Sequence, residues 1–194
     1  MSSCKKNILS VLLIIMVLPL LFCNVDASKS SKAKKAKRAY KKYVSAHTES
    51  DYYTKPDYKI TDVNGDAIPE LLFINCKDLN AEVWTFRGGK MRRMFKEGFG
   101  KNASFAYKKS KHQVAVMHMY SSGFRMQIYK AKKTKLKKTK IILEYGDAYR
   151  MGFTNNESMR GTIVYTINNK RVKKKVLKKA WNKYKFTDPS WKVK

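Results

Sequence analysis

Acidic residues are scarce in this chain of 194 residues, where 14 Asp and Glu stand against 43 Lys and Arg and give a net charge of +29. Such a charge creates a long-range field that favours anionic partners and argues against cationic ligands. Only four prolines and nine glycines are present, which excludes collagen-like and Pro/Gly-rich classes. Because 43% of the residues are hydrophobic, the chain can bury the core of one domain.

A long hydrophobic run is also missing. The longest one, Ile8 to Phe22, is shorter than the roughly 20 residues that a membrane-spanning helix needs. Lys5 and Lys6 precede this run, and small residues follow it up to Ala27. This pattern predicts a secretory signal peptide over residues 1–27, with cleavage after Ala27.

Cysteine is limited to three residues. Cys23 leaves a membrane-anchored lipoprotein as an alternative, although the bulky Phe22 stands where lipidation requires a small residue. Cleavage after Ala27 leaves Cys76 as the single thiol, so the exported chain cannot form an internal disulfide. We expect Cys76 to be a small buried strand residue.

Residues 28–48 carry eight Lys or Arg and no acid. The initial Ser/Lys stretch is typical of a flexible leader. A short amphipathic helix ending near Ala46 should follow, because apolar residues recur on one helical face: Ala33, Ala36, Tyr40, Tyr43 and Val44. This helix could dock on the domain or lie on an anionic surface.

From residue 49 to residue 194 the pattern indicates one β-rich domain that ends in a helix. Strands are expected from period-two alternation near Tyr58 to Thr61, Glu70 to Cys76, Glu82 to Phe86, Lys90 to Phe95, Ser104 to Tyr107, Val114 to Met119, Arg125 to Tyr129, Ile141 to Tyr145 and Thr162 to Ile167. Gly88-Gly89 and Asn168-Asn169 suit tight hairpins. Apolar residues spaced by three and four between Val172 and Tyr184 predict a C-terminal amphipathic helix. The predicted fold is mainly β, an antiparallel meander or sandwich with a short helix at each end, and α+β overall.

The acidic residues concentrate in one segment. Residues 49–97 hold nine acidic and eight basic residues, whereas residues 98–194 hold four and 25. Within the first segment, Asp62, Asn64 and Asp66 occupy positions one, three and five of a tight loop, a spacing that suits a hard cation such as calcium. The carbonyl of Ile68 and the carboxylate of Glu70 would follow at positions seven and nine. The alternative is a polar turn held by Asx hydrogen bonds.

The segment Asp62-Val63-Asn64-Gly65-Asp66-Ala67-Ile68-Pro69-Glu70 resembles the short calcium loops of integrin-type FG-GAP repeats and of dockerins. The wider stretch 58–73, with Pro-Glu-Leu-Leu after the loop, is similar to a family of small secreted proteins of Gram-positive bacteria. The resemblance implies a structural calcium ion and is nearly silent on activity. At Ala67 the sequence departs from the family's glycine, and alanine costs about 1 to 2 kcal/mol in the left-handed conformation needed there, so calcium should bind weakly.

Motifs of common enzymes are missing from the sequence. The three histidines form no His-Glu-x-x-His pattern, no serine lies in a Gly-x-Ser-x-Gly turn, and no glycine-rich phosphate loop precedes a helix. His112 and His118 are expected on one face of a strand, about 20 Å apart and therefore unable to share a metal. The sequence favours a non-catalytic protein, with an extracellular hydrolase as the alternative.

The 35 lysines far outnumber the eight arginines, which favours diffuse contacts with polyanions over bidentate docking on one phosphate. For an exported protein the expected partners are anionic polymers such as teichoic acids or glycans, or an anionic membrane surface, and nucleic acid is disfavoured. Lysines near two predicted turns should form the binding surface: Lys108, Lys109, Lys111, Lys130, Lys132, Lys133, Lys135, Lys137 and Lys138. The sequence therefore predicts a secreted protein associated with the cell wall, unless the charge serves solubility alone.

Overall fold

The structure, a computed structural model, describes residues 28–48, 57–75, 78–98, 103–120, 123–148, 151–152, 155 and 160–187. The predicted signal peptide, the lipidation candidate Cys23 and Cys76, which was expected to be a buried strand residue, lie outside the described residues. In the part of the chain that the structure describes, no helix is both long and apolar enough to cross a membrane.

The first helix, α1, covers residues 28–46. The prediction of a flexible Ser/Lys leader was therefore wrong, because that stretch is already helical, whereas the predicted helix end is confirmed. Ala36, Tyr40 and Val44 are buried at a spacing of four residues, as expected for one helical face packed on the domain.

Four antiparallel strands form the first sheet in the order β1-β2-β3-β4. They are β1 (Tyr58–Thr61), β2 (Glu70–Asn75), β3 (Asn80–Arg87) and β4 (Lys90–Gly98). Gly88 and Gly89 join β3 to β4 with φ angles of 58° and 77°, the left-handed pair that a two-residue hairpin requires. Every residue of β2 is buried, because this strand lies inside the molecule with packing on both faces.

Seven antiparallel strands form the second sheet in the order β10-β9-β8-β7-β6-β5-β11. They are β5 (Ala103–Lys108), β6 (Gln113–Tyr120), β7 (Gly123–Ala131), β8 (Leu136–Asp147), β9 (Ile163–Ile167), β10 (Lys170–Arg171) and β11 (Lys185–Phe186). The second helix, α2 (Lys174–Trp181), follows β10 and precedes β11 along the chain. Asn168 and Asn169 form the predicted tight turn, with φ angles of 54° and 63°.

The helices and sheets form four layers, and a buried hydrophobic cluster lies between each pair of neighbouring layers. The central cluster joins the two sheets, with Leu72 and Val83 on one side and Phe105 and Val116 on the other. A second cluster packs α2 on the outer face of the second sheet, and a third packs α1 on the outer face of the first. The layer order is α1, first sheet, second sheet, α2, which confirms the predicted sandwich with a helix near each end.

Two features of the second sheet were not predicted. Strand β8 begins at Leu136, five residues before the expected start, because its lysine-rich first half pairs with β7 through Tyr129 and Lys138. Strand β11 pairs Lys185 with Tyr107, far away in sequence. The lysine-rich first half of β8 is largely exposed and β11 has only two residues, so neither segment shows a period-two apolar pattern.

Candidate functional site

The loop between β1 and β2, here called the acidic loop (residues 62–70), is curled around its own side chains. The Asp62 carboxylate accepts hydrogen bonds from the backbone N–H groups of Gly65 at 2.7 Å and Ala67 at 3.0 Å. Asn64 accepts one from the Asp66 N–H at 2.9 Å, and Asp66 accepts one from the Ile68 N–H at 3.0 Å. These bonds are the Asx turns of the alternative interpretation. Ala67 has a φ of 67°, so it takes the left-handed conformation expected at this position.

Glu70, the last residue of the acidic loop, is completely buried. Its carboxylate accepts hydrogen bonds from the Val63 N–H at 3.0 Å, from the Asn64 side-chain amide at 2.7 Å and from the Thr85 hydroxyl at 3.2 Å. The pKa of Glu70 is raised to about 7, mainly by burial and to a smaller extent by the carboxylates of Asp66 and Asp62, while the hydrogen bond from Val63 lowers it. Glu70 therefore titrates near neutral pH in the folded protein.

Arg87 supplies a positive charge beside the acidic loop, a contact that no sequence pattern predicts. Its guanidinium lies 2.6 Å from the Asp66 carboxylate. The two residues are 21 positions apart, and they meet because β3 runs antiparallel to β2 and ends at the level of the loop. One of the expected calcium ligands is thus already paired with a cation.

The expected calcium ligands are only partly brought together. Among the described residues, no group of three or more His, Cys, Asp and Glu side chains is arranged to hold a metal ion. Asp62 and Asn64 keep oxygen lone pairs beyond their hydrogen bonds, and Ile68 is half-buried. Asp66 is shared with Arg87, and Glu70 is buried among three donors. Calcium binding therefore stays a prediction.

The acidic loop rests on a turn of the second sheet. His112 follows a short 3-10 turn over Lys109–Lys111 and has a left-handed φ of 49°. A Cβ atom placed on Gly65 would lie 2.4 Å from Cε1 of the His112 ring, so only glycine allows this approach. The expectation that His112 shares a strand face with His118 was wrong, because His112 precedes β6 and faces the acidic loop instead.

Two lysine-rich turns meet beside His112. The Ala131 N–H donates to the His112 carbonyl at 2.7 Å, and Nζ of Lys130 donates to the Lys111 carbonyl at 2.6 Å. Strand pairing places Lys130 opposite Lys137. The structure thereby brings the nine predicted lysines to one end of the second sheet, here called the basic end: Lys108, Lys109, Lys111, Lys130, Lys132, Lys133, Lys135, Lys137 and Lys138.

The lysines of the basic end have no acidic partners among the described residues. The ion pairs of Arg87 with Asp66 and of Lys96 with Glu82 both belong to the first sheet. The pairing of β11 with β5 also places Lys185 at this end, close to Lys108. Sequence reasoning missed Lys185 because its position depends on a pairing between distant segments.

The remaining histidine of the second sheet lies in a different setting. Burial lowers the pKa of His118, Glu97 opposes this shift, and Arg125 adds to it. Arg125 stands opposite His118 on β7, and the Tyr129 hydroxyl donates to Glu97 at 2.9 Å. Of these contacts, the hydrogen bond from Tyr129 to Glu97 links the second sheet to the first.

The chain matches no protein-family profile, no curated protein and no solved structure. Function must therefore be argued from the acidic loop and the basic end themselves.

Proposed function

We propose that this protein is a secreted, non-catalytic binder of anionic polymers of the cell wall or extracellular matrix, such as teichoic acids or glycans, and that the basic end is its binding surface. The observation that carries the proposal is the meeting of nine lysines that no described carboxylate neutralises. Like charges this close repel one another, and a bound polyanion replaces that repulsion with attraction while releasing its own counterions.

The chemistry of the basic end suits a polymer better than a single small anion. All nine cations are lysines, which are hydrated point charges on flexible stems and lack the fork geometry that fixes one phosphate. The turns that carry them are held by strand pairing and by the Ala131 to His112 hydrogen bond. A rigid base with mobile charged tips can follow the repeating charges of a polymer.

Charge-neutralising variants test the proposal. In the basic-end variant, Lys109, Lys111, Lys132 and Lys133 are changed to Gln. In the control variant, four exposed lysines of α2 are changed in the same way: Lys174, Lys175, Lys178 and Lys179. Both proteins have the same net charge. We expect retention on immobilised wall teichoic acid to fall at least about tenfold for the basic-end variant and to change little for the control, with all binding weakened by salt.

Other outcomes would overturn the proposal in identifiable ways. Equal losses in both variants would mean that diffuse charge, and not the basic end, causes binding. Retention that resists high salt would indicate a specific pocket. Binding to anionic vesicles alone would favour a membrane surface as the partner, and turnover in a substrate screen would favour the hydrolase alternative.

A structural calcium ion in the acidic loop is the second proposal. The observation that favours it is that, besides burial, the carboxylates of Asp66 and Asp62 raise the pKa of Glu70, and a cation in the loop would relieve this repulsion of the Glu70 carboxylate. Asp62, Asn64, Asp66 and the carbonyl of Ile68 would hold the ion, which would supply loop stability and no chemistry. Glu70 would contribute only by exchanging its present hydrogen bonds.

Thermal unfolding with calcium and with chelator tests this second proposal. We expect calcium to raise the Tm of the unaltered protein and Asp66→Ala to abolish the difference. Arg87→Gln serves as the matched variant, because it frees the same Asp66 carboxylate and should enlarge the calcium effect. Superimposed curves for both the unaltered protein and Arg87→Gln would exclude the ion.

A further inference from the structure

The first turns of α1 extend beyond the domain core. Residues 28–32, 34 and 35 are exposed, and the first buried position is Ala36. At 1.5 Å per residue, the stretch 28–35 is about 12 Å of helix. It is here called the α1 arm, and its four lysines are Lys29, Lys32, Lys34 and Lys35.

Two contacts fix the direction in which the α1 arm points. The Tyr43 ring lies 6.0 Å from the Phe73 ring, and one helical turn earlier the Tyr40 hydroxyl donates to the Pro69 carbonyl at 3.0 Å. Moving from Phe73 to Pro69 leads toward the acidic loop, and moving from Tyr43 to Tyr40 leads toward the start of α1. The α1 arm therefore projects from the same end of the sandwich as the acidic loop.

That end is also the basic end, because Gly65 of the acidic loop lies against His112 of the lysine-rich turn. The α1 arm and the basic end thus flank the acidic loop from opposite sides. The separation is about 20 Å, since a helix is about 10 Å thick and packed sheets lie about 10 Å apart. Between them, Arg87 neutralises the charge of Asp66, which lowers the barrier to an anion crossing the loop.

Two electrostatic features within the α1 arm also favour the binding of an anion. Lys29, Lys32 and Lys35 recur at a spacing of three residues, where like charges on a helix repel. Cations near the start of a helix also oppose its dipole. An anionic chain lying along the arm would offset both effects.

We infer that the ligand is a linear polyanion long enough to contact the α1 arm and the basic end at once, a span of about 20 Å across the acidic loop. This inference rests on the proposed function and adds the length of the ligand to it. A short anion reaches one of the two lysine groups. A long chain bound at the basic end meets the α1 arm at high effective concentration and gains affinity without any new kind of contact.

The test compares tripolyphosphate with long-chain polyphosphate at equal phosphate concentration, using the unaltered protein and three variants. The arm variant changes the four arm lysines to Gln, and the other two are the basic-end and control variants defined above. We expect the unaltered protein and the control variant to bind the long chain at least about tenfold more tightly than tripolyphosphate. The arm variant should lose most of that preference and keep its tripolyphosphate affinity, and the basic-end variant should bind both probes weakly.

The outcomes separate this inference from the proposed function. If the arm variant keeps the full preference for the long chain, the inference is wrong and the proposed function survives. If neither probe binds the unaltered protein at low salt, both are wrong. Circular dichroism of each variant checks that the substitutions leave the fold intact.

Discussion

The two sheets treat charge in opposite ways. On the first sheet, the carboxylates of Glu70 and Glu82 are buried and hydrogen-bonded, and Asp66 is paired with Arg87. On the second sheet, the nine lysines of the basic end, all exposed except the half-buried Lys108 and Lys130, have no acidic partners among the described residues. Charges in the first sheet take part in contacts within the fold, whereas we propose that those of the basic end bind an external polyanion. The comparison predicts that substitutions in the first sheet affect stability and those in the second affect binding.

Loss of the buried carboxylate should produce the largest effect on stability. Glu70→Ala leaves the Val63 N–H and the Asn64 amide without their acceptor and removes buried volume. We expect the free energy of unfolding to fall by about 3 to 5 kcal/mol. The basic-end variant, measured by the same denaturant titration, should change by less than about 0.5 kcal/mol. Similar losses in the two proteins would erase the contrast between the sheets.

The titration of the same carboxylate, Glu70, should make the stability of the protein depend on pH. The pKa of Glu70 is raised to about 7 in the folded protein, so the folded state binds its proton more tightly than the unfolded chain does. The stabilisation is fully present below the ordinary carboxyl pKa near 4.5 and is lost as pH rises to about 7. In chelator, unfolding free energy should fall by up to about 3 kcal/mol across this window.

Glu70→Gln provides the control for that profile, because glutamine keeps the size of the side chain and does not titrate. Its stability should vary less between pH 4.5 and 7 than that of the unaltered protein. If the two profiles are parallel, another group causes the pH dependence.

The contact between the acidic loop and His112 should be sensitive to a single methyl group. Gly65→Ala places its Cβ against the His112 ring and strains a φ of 84°. Gly88→Ala is the matched control, with a φ of 58° and nothing within 4 Å of its Cβ. We expect losses of about 2 to 4 kcal/mol for the first and about 1 kcal/mol for the second. Equal losses by chemical denaturation would mean that the loop does not rest on His112.

The smallest expected effect is an increase in stability. Ala67→Gly removes the left-handed strain of alanine at a φ of 67° and should stabilise the protein by about 1 kcal/mol. Asn168→Gly, at a φ of 54°, should gain less, because asparagine tolerates this conformation. A loss of stability in Ala67→Gly would show that the methyl group of Ala67 is needed in the loop.

Local sequence patterns predicted most of the strands and turns of the fold. Alternation located the long strands, and Gly88-Gly89 and Asn168-Asn169 marked hairpins that the structure contains. Pairings between distant segments, such as Lys185 with Tyr107, could not be predicted, because a strand of two residues is too short to show alternating apolar and polar residues.

The candidate site divides in the same way. The Asx turns and the left-handed Ala67 follow from residues close in sequence, and the nine lysines were named from their clustering around two turns. Arg87 beside Asp66, His112 against Gly65 and the direction of the α1 arm all depend on how sheets and helices pack. None of these contacts has a signature within its own segment of the chain.

Lysine protection by a bound polyanion tests the central claim most directly. The protein is treated with an amine-reactive reagent, with and without long-chain polyphosphate, and the modification rate of each lysine is measured by mass spectrometry. We expect the polyanion to slow modification strongly at the basic end and little at Lys174, Lys175, Lys178 and Lys179 of α2. Equal protection of both groups would contradict the account, because the basic end would then be no more than one part of a uniformly charged surface.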